Sequence, residues 1–190
     1  MKVQKEFQDK DRGPYTQLYS GGLFHPFDPL PEEIHIEDIA HALSQICRYG
    51  GMTKSHYSVA QHSVHVSTIL PPELQLTGLM HDSTEAYLGD VVRPIKHHPL
   101  FKFYTEVEDR LYSVIAKKYG LVDPLPLEVK EADNIILATE ATGPYILTVN
   151  PPWAKSFPFK PLNQPIYPLS ARDAERLFLD RWTELFDKRR

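Results

Sequence analysis

The chain contains a single cysteine, Cys47, so no disulfide can form within it. It also lacks a charged N-terminal segment followed by an apolar one, and it has no apolar run long enough to cross a membrane. We therefore expect a cytoplasmic protein with no membrane partner. Cys47 falls on the apolar face of a predicted helix, so we expect it to be a small buried hydrophobic side chain.

An excess of positive charge is absent as well, because 21 Lys and Arg are set against 25 Asp and Glu, which gives a formal net charge of −4. This balance argues against broad binding of long nucleic acids, although a few local cations suffice for a small phosphate. The sequence contains no HExxH motif, no phosphate-binding loop of the GxxxxGK[ST] type and no GxGxxG motif. The zinc-protease, NTPase-motor and dinucleotide-binding classes therefore lack support.

With 190 residues and 42% hydrophobic side chains, the chain suits one well-filled core, and we expect a single domain over residues 1–190. Residues 34–51 carry apolar side chains at helical spacing and end in two glycines, which predicts an amphipathic helix. Residues 57–70 predict a second helix, ended by two prolines, with His62 on its inward face. A histidine at that position is either hydrogen-bonded in the core or bound to a ligand.

Residues 72–88 predict a third helix, ended by Gly89. In such a helix Asp82 and Glu85 are three residues apart and His81 and Glu85 are four apart, so the three side chains share one face. Further helices are predicted over residues 103–120 and 127–142. Asp133 lies at or beside the buried face of the second of these.

Two segments fall outside this helical pattern. Residues 15–31 predict a short hairpin around Gly21-Gly22, and 7 prolines occupy the 25 residues from Pro144 to Pro168, which predicts a packed loop that could serve as a lid. A last amphipathic helix begins at Ser170 with a capping pattern, and its partly apolar outer face is compatible with a homo-oligomer. The expected fold is all-α: a helical bundle with a short N-terminal β-hairpin and a Pro-rich loop before the last helix.

Three of the predicted helices each turn metal-binding side chains inward: His62 from one, His81 and Asp82 from the next, and Asp133 from the third. Two imidazoles and two carboxylates suit a divalent ion such as Mn, Co, Zn, Fe or Mg, and they leave coordination positions for water and substrate. For His62 alone, a hydrogen-bonded core histidine would be the simpler interpretation. The convergence of the set predicts an open site with Lewis-acid chemistry.

The stretches YSVAQHS, LMHDSTEAYLGD and EADNIILATE, in this order, resemble the H…HD…D signature of the HD-domain metal-dependent phosphohydrolases. The resemblance covers roughly residues 34–142. It is closest to the small bacterial and phage branch that includes 5′-deoxynucleotidases and deoxynucleoside triphosphate triphosphohydrolases. It implies an HD-domain helical bundle whose metal ligands are His62, His81, Asp82 and Asp133.

The resemblance also implies roles for residues around the metal. Glu85 corresponds to the catalytic carboxylate that positions the attacking water, and Asp90 to a second acid near the phosphorus. Arg48 corresponds to the arginine that holds the phosphate, and Lys96 to a basic residue of the same pocket. Tyr49 stands where related deoxynucleotidases have an aromatic residue near the sugar and base. From position alone, Asp90 would also suit a turn and Arg48 a helix C-terminus.

The function so implied is hydrolysis of (deoxy)nucleoside 5′-phosphates at the α-phosphorus. A deoxynucleoside triphosphate triphosphohydrolase, with dATP as one candidate substrate, would release nucleoside and tripolyphosphate, whereas a 5′-nucleotidase would release nucleoside and phosphate. Two alternatives stay open: a phosphohydrolase of an unusual nucleoside phosphate in a biosynthetic pathway, and a non-catalytic nucleotide-binding regulator. Metal-dependent product release separates the enzyme from the regulator.

Overall fold

A computed structural model describes residues 8, 9 and 11–188, and within them the protein is mostly helical. Eight α-helices follow one another along this part of the chain: α1 Ile36–Gln45, α2 Val59–Thr68, α3 Gln75–Leu79, α4 Glu85–Leu88, α5 Arg93–Lys96, α6 Lys102–Tyr119, α7 Leu127–Thr142 and α8 Ala171–Asp187. None of these helices combines the length and the apolar character that a membrane crossing requires.

Two short antiparallel strand pairs precede α1 in the described residues. β1 Gln8–Asp9 pairs with β2 Gly13–Pro14, a pair that the sequence did not predict. β3 Thr16–Gln17 pairs with β4 Leu23–Phe24, and Gly21 N donates to Leu18 O at 3.0 Å in the turn between them. The predicted hairpin around Gly21-Gly22 is therefore confirmed.

The main hydrophobic core is formed chiefly by α1, α2, α3, α6 and α8. The last helix, α8, packs against α1, α2 and α3. It begins as predicted, because Ser170 Oγ accepts a hydrogen bond from Asp173 N at 3.2 Å. Its buried face repeats at helical spacing through Ala174, Phe178, Trp182 and Leu185.

A second apolar cluster joins α2 and α7 to the Pro-rich segment. Ile146 and Ile166 of that segment are buried in it, which confirms the prediction of a packed loop. Helix α2 contributes Val64 to the main core and Val66 to the second cluster. Because α2 lies between the two clusters, His62 at its centre is fully buried.

The third predicted helix is broken at the His81-Asp82 pair. Helix α3 ends at Leu79, residues 80–84 form a turn, and α4 begins at Glu85. Backbone bonds in the turn span three residues, as in Ser83 N to Met80 O at 3.0 Å and Glu85 N to Asp82 O at 3.0 Å. The continuous helix was therefore a wrong prediction, because packing around the site overrides the helical periodicity of this stretch.

The first predicted helix is shorter than expected, since α1 ends at Gln45. Cys47 instead forms an isolated antiparallel bridge with Ser58. Its side chain is only partly buried, with Sγ 3.3 Å from Thr53 Oγ1. The expectation of a fully buried Cys47 is thus wrong, because the chain leaves the helix before this residue reaches the core.

Candidate metal centre and surrounding cavity

His62 is held in the interior by α2. Ser58 caps this helix, with its Oγ accepting a hydrogen bond from Gln61 N at 3.1 Å. The His62 side chain is fully buried, and its Nδ1 donates to Glu140 Oε1 at 2.6 Å. The other ring nitrogen, Nε2, is buried and forms no well-aligned hydrogen bond within the described residues, although Asp133 Oδ1 lies 3.1 Å from it. One side of the ring is therefore fixed while the other is available to a ligand.

His81 reaches the same place from the turn between α3 and α4. Helix α3 comes close to α2 at Gly78, where an added Cβ would collide with the Leu70 side chain and lie 3.5 Å from Ser67 Cα. His81 Nδ1 donates to Gly78 O at 2.8 Å, and its Nε2 is buried without a hydrogen-bond partner in the described part of the chain. The rings of His81 and His62 have centroids 5.4 Å apart.

Three donor atoms, one each from His62, His81 and Asp82, lie within 4.8 Å of one another. Asp82 Oδ2 is 3.1 Å from His81 Nε2 and 3.9 Å from His62 Nε2. Ring lone pairs and carboxylate oxygens that face one another need a proton or a cation between them. We call these three residues the triad, and their donors fit a divalent metal ion. No second group of three such donors meets at this spacing in residues 8, 9 and 11–188.

Asp133 lies at the edge of the triad. Its Oδ1 is 3.1 Å from His62 Nε2, and its Oδ2 accepts a hydrogen bond from Arg93 Nη2 at 3.2 Å. Burial acts to raise the pKa of Asp133, but the contacts with His62 outweigh burial and the pKa is lowered. The predicted fourth ligand is therefore an ionised carboxylate next to the triad, although its donor atoms are not among those that meet within 4.8 Å.

Glu140 of α7 is fully buried against His62 and connects it to the cavity wall. Its Oε1 accepts hydrogen bonds from His62 Nδ1 and, at 2.8 Å, from Tyr57 OH. Its Oε2 accepts from Tyr49 OH at 2.7 Å and from Arg48 Nε at 3.2 Å. A carboxylate in this position sets the tautomer and orientation of a metal-binding histidine. Glu140 thus joins a predicted metal ligand to the predicted phosphate-binding arginine.

The charges of Glu140 and His62 depend on their burial and on the charged groups around them. Burial acts to raise the pKa of Glu140, but Arg48 and His62 outweigh it and lower the pKa to about 2. Burial and Arg48 act to lower the pKa of His62, but Glu140 and Asp133 raise it to about 9. In the metal-free protein His62 is therefore doubly protonated at neutral pH, and a divalent ion would replace the second proton, on Nε2, because it binds the neutral imidazole.

Two further acids, Glu85 and Asp90, lie near the triad. Glu85 begins α4, its side chain is buried, and its Oε2 has no hydrogen-bond partner in the described residues. Burial, followed by the charges of Asp82 and Asp90, raises the pKa of Glu85 well above its ordinary value. Burial also raises the pKa of Asp90. Carboxyl groups with raised pKa values exchange protons closer to neutral pH, which is the property of a general acid or base.

Three cations, Arg48, Arg93 and Lys96, line a cavity beside these acids. Arg48 Nη1 is 3.9 Å from Asp82 Oδ2. Lys96 Nζ contacts Glu108 Oε2 at 2.7 Å, and Arg93 is the most exposed of the three cations. Each cation is already oriented by a carboxylate of the protein. A bound phosphate would add charge-assisted hydrogen bonds to groups that need little reordering.

The cavity has a volume of about 600 Å³, which is within the range of small-molecule sites, ~300–1,000 Å³. Besides the charged side chains, it is lined by apolar residues of three regions: the stretch before and into α5, helix α7, and the Pro-rich segment. The apolar lining residues are Val91, Val92, Pro94, Leu137, Trp153 and Phe157. The cavity therefore has both a charged and an apolar lining.

Tyr49 forms part of the cavity wall with an unusual backbone. Its φ is 58°, in the left-handed region that non-glycine residues rarely adopt. Its hydroxyl is used by Glu140, so the ring is what Tyr49 offers to the cavity. Strained positions of this kind cluster at functional sites.

The structure gathers the predicted site residues around one cavity. His62 and His81 are buried behind Asp82, and the other predicted residues line the cavity: Arg48, Tyr49, Asp82, Glu85, Asp90, Lys96 and Asp133.

Four further residues were missed: Arg93, Glu140, Trp153 and Phe157. Glu140 could have been found, because it follows Asp133 by seven residues and so shares its helical face. Periodicity offers no comparable signal for Arg93, in the one-turn helix α5, or for Trp153 and Phe157 in the Pro-rich segment.

Two curated proteins are similar to this chain. Uncharacterized protein YfdR of Escherichia coli is 42% identical over 126 residues, which cover 66% of this chain and 70% of YfdR. An uncharacterized protein of Rhodobacter capsulatus is 35% identical over 127 residues, which cover 62% of this chain and 64% of that protein. No protein-family model matches the chain.

Proposed function

We propose that this chain, which belongs to the same family as YfdR of Escherichia coli, is a metal-dependent phosphohydrolase of nucleoside 5′-phosphates. The observation that carries the proposal is the triad, in which two buried imidazole nitrogens face carboxylates without a well-aligned hydrogen bond in the described residues, next to a cavity with acids and cations. The resemblance of the sequence to the HD-domain phosphohydrolases supports the same fold and chemistry.

The metal would be held by His62, His81 and Asp82, with Asp133 beside them. When bound, a divalent ion such as Mn, Co, Zn, Fe or Mg supplies Lewis-acid polarisation of a phosphoryl oxygen and lowers the pKa of water. Nitrogen and oxygen donors without thiolate suit such ions in an open catalytic site.

Glu85 is the residue that orients the attacking water and takes its proton. Its Oε2 has no partner among the described residues, so this oxygen is available to a water molecule. Its raised pKa brings proton uptake closer to neutral pH. Asp90, which also lines the cavity and contributes to that raised pKa, is the second acid of the site.

Arg48, Lys96 and Arg93 bind the phosphate oxygens and offset the charge that develops on them. The water oxygen bonds to the α-phosphorus while the bond from phosphorus to the 5′ oxygen breaks. The proton lost by the water passes to Glu85, and the 5′ oxygen of the departing nucleoside takes up a proton from solvent water. The other product is phosphate from a monophosphate and tripolyphosphate from a triphosphate.

A substrate panel tests the proposal. Purified protein is incubated with deoxynucleoside mono- and triphosphates and with ribonucleotides, in the presence of Mn, Co, Zn or Mg, and nucleoside, phosphate and tripolyphosphate are measured. Tripolyphosphate identifies a triphosphohydrolase, and phosphate from monophosphates identifies a 5′-nucleotidase. Absence of product with every metal would refute the enzyme and leave the nucleotide-binding regulator.

Asp82→Ala and Asp109→Ala form the matched control pair for this panel. Asp82 belongs to the triad, whereas Asp109 is exposed on α6. The proposal requires product release to disappear in the first variant and to persist in the second. Equal loss in both would indicate a general effect on folding.

A further inference from the structure

We propose that Trp153, in the Pro-rich segment, is the stacking platform for the base of the substrate, so that the substrate is a nucleotide recognised through the face of its ring. This inference rests on the proposed function. The sequence pattern that indicates metal chemistry covers residues 34–142, and Trp153 lies outside that range.

The aromatic wall consists of Trp153 and Phe157. Both residues line the cavity that also contains Arg48 and Glu85. The two aromatic rings pack edge to face, with centroids 5.3 Å apart and planes at 70°. The Trp153 side chain remains 40% exposed, whereas tryptophan is highly buried on average. An indole braced on one side and exposed on another offers surface for a planar ligand.

The wall is held in place because the Pro-rich segment is fastened on both sides of it. Before the wall, Lys54 N donates to Ile146 O at 2.8 Å. After it, Leu162 N donates to Thr139 Oγ1 at 2.9 Å, on the helix that carries Asp133. The aromatic residues between these attachments therefore keep a defined position relative to the charged side of the cavity.

Tyr49 extends the same wall toward a smaller neighbouring cavity of about 380 Å³. Tyr49, Val92 and Trp153 line both cavities, so apolar surface continues from one to the other. The hydroxyl of Tyr49 is bonded to Glu140, so its ring adds apolar area and no free donor.

A ligand that suits this cavity has an anionic end for the cations and an aromatic face for the wall. A sugar phosphate without a base would leave Trp153, Phe157 and Leu137 in contact with water. Stacking on an aromatic side chain favours nucleotide binding by roughly 5- to 150-fold per base, and every base has such a face. The geometry therefore points to a nucleoside phosphate, with stacking effective for purines and pyrimidines alike.

Tryptophan fluorescence measures the stacking directly, because the chain has 2 tryptophans in different surroundings. Trp182 is 7% exposed in the main core, with its ring stacked on Phe186 at a centroid distance of 4.8 Å. The emission of Trp153 is obtained by subtracting the emission of the Trp153→Leu variant from that of the protein with both tryptophans. Trp182 is kept in both proteins, so the core stays unaltered. A Glu85→Gln background prevents consumption of the ligand during the titration.

The probes are dAMP, dATP and deoxyribose 5-phosphate, the last being the base-free counterpart of dAMP. We expect both nucleotides to quench the Trp153 emission and deoxyribose 5-phosphate to leave it unchanged. Trp153→Leu should weaken dAMP binding roughly 5- to 150-fold, and Trp153→Phe, which keeps an aromatic face, should recover most of that affinity. Binding of deoxyribose 5-phosphate should be the same in all three proteins.

The inference is overturned if dAMP and deoxyribose 5-phosphate bind equally, or if Trp153→Leu weakens both to the same extent. The proposed function can still hold in that case, because phosphate release is measured separately in the protein with Glu85. Quenching by nucleotides without product release with any metal would support the platform and refute the hydrolase.

Discussion

Two buried histidines of this protein have closely similar surroundings. Nδ1 of His25 lies 2.7 Å from Glu33 Oε1, and Nδ1 of His62 lies 2.6 Å from Glu140 Oε1. Each of these glutamates is also paired with an arginine. In both rings Nε2 is buried and has no hydrogen-bond partner in the part of the chain that the structure describes.

The two histidines differ in the groups that surround Nε2. His62 Nε2 has a second imidazole and two carboxylates close by, and a cavity next to them. His25 Nε2 has Asp9 Oδ2 at 3.8 Å, and no group of three metal donors forms there among the described residues. A buried histidine fixed by a glutamate thus does not by itself indicate a metal site. It becomes a candidate metal centre where a second imidazole and a carboxylate from other segments meet it.

Replacing each histidine in turn gives the largest expected contrast. His62→Ala should abolish tight binding of Mn or Zn in calorimetric titration and reduce product release to background, because it removes a triad ligand. His25→Ala should leave both intact. In each case a glutamate that is also paired with an arginine loses one hydrogen-bond donor, so both variants should lose about 1–3 kcal/mol of unfolding free energy in urea. Equal metal affinity in the two variants would contradict the distinction between the two regions.

The acids near the two histidines differ in the direction of their pKa shifts. Burial, Asp82 and Asp90 raise the pKa of Glu85, whereas Arg12 outweighs burial and lowers the pKa of Glu33. Glu85→Gln should therefore reduce kcat by roughly 10²- to 10⁴-fold and leave metal affinity nearly unchanged, since it removes only the proposed proton acceptor.

Glu131→Gln, an exposed change on α7, is the matched control for Glu85→Gln. Steady-state kinetics of both variants check the expectation. A loss of metal binding that parallels the loss of kcat would show that Glu85 acts as a ligand instead.

The two glutamates that hold the histidines provide a smaller contrast. Glu140→Gln should weaken metal binding by about 10- to 100-fold, because an amide orients His62 less strongly than a carboxylate does. Glu33→Gln changes the equivalent partner of His25 and should not alter metal affinity. Unchanged metal affinity in Glu140→Gln would show that Glu140 contributes only to packing.

The smallest effect concerns acid stability of the metal-free protein. The pKa of Glu140 is lowered from 4.5 to about 2 on folding, so its contribution to stability is fully present above pH 4.5 and is lost as the pH falls toward 2. Urea unfolding in the presence of a chelator should show a loss from this group of roughly 2 kcal/mol between about pH 5 and pH 3. Glu140→Gln should lack that component, and an identical pH slope in both proteins would contradict the assignment.

The sequence predicted which side chains lie around the cavity better than it predicted the backbone that carries them. Periodicity placed His62 correctly inside α2, because a helix is decided by its own side-chain pattern. It predicted one helix through His81 and Asp82, where the chain makes a turn between α3 and α4. Local propensity there is overridden by the close approach of α3 to α2 at Gly78 and by the hydrogen bond from the His81 side chain to Gly78 O.

The types of residue that can bind a metal, move a proton and hold a phosphate were determined by the sequence alone, since they depend only on side-chain chemistry. The tertiary structure decided which of them meet. Whether His62 rather than His25 gains partners, and whether Trp153 faces the cavity of Arg48, depends on contacts between segments far apart in the chain. Such contacts arise from packing of whole elements, which periodicity within one element does not encode.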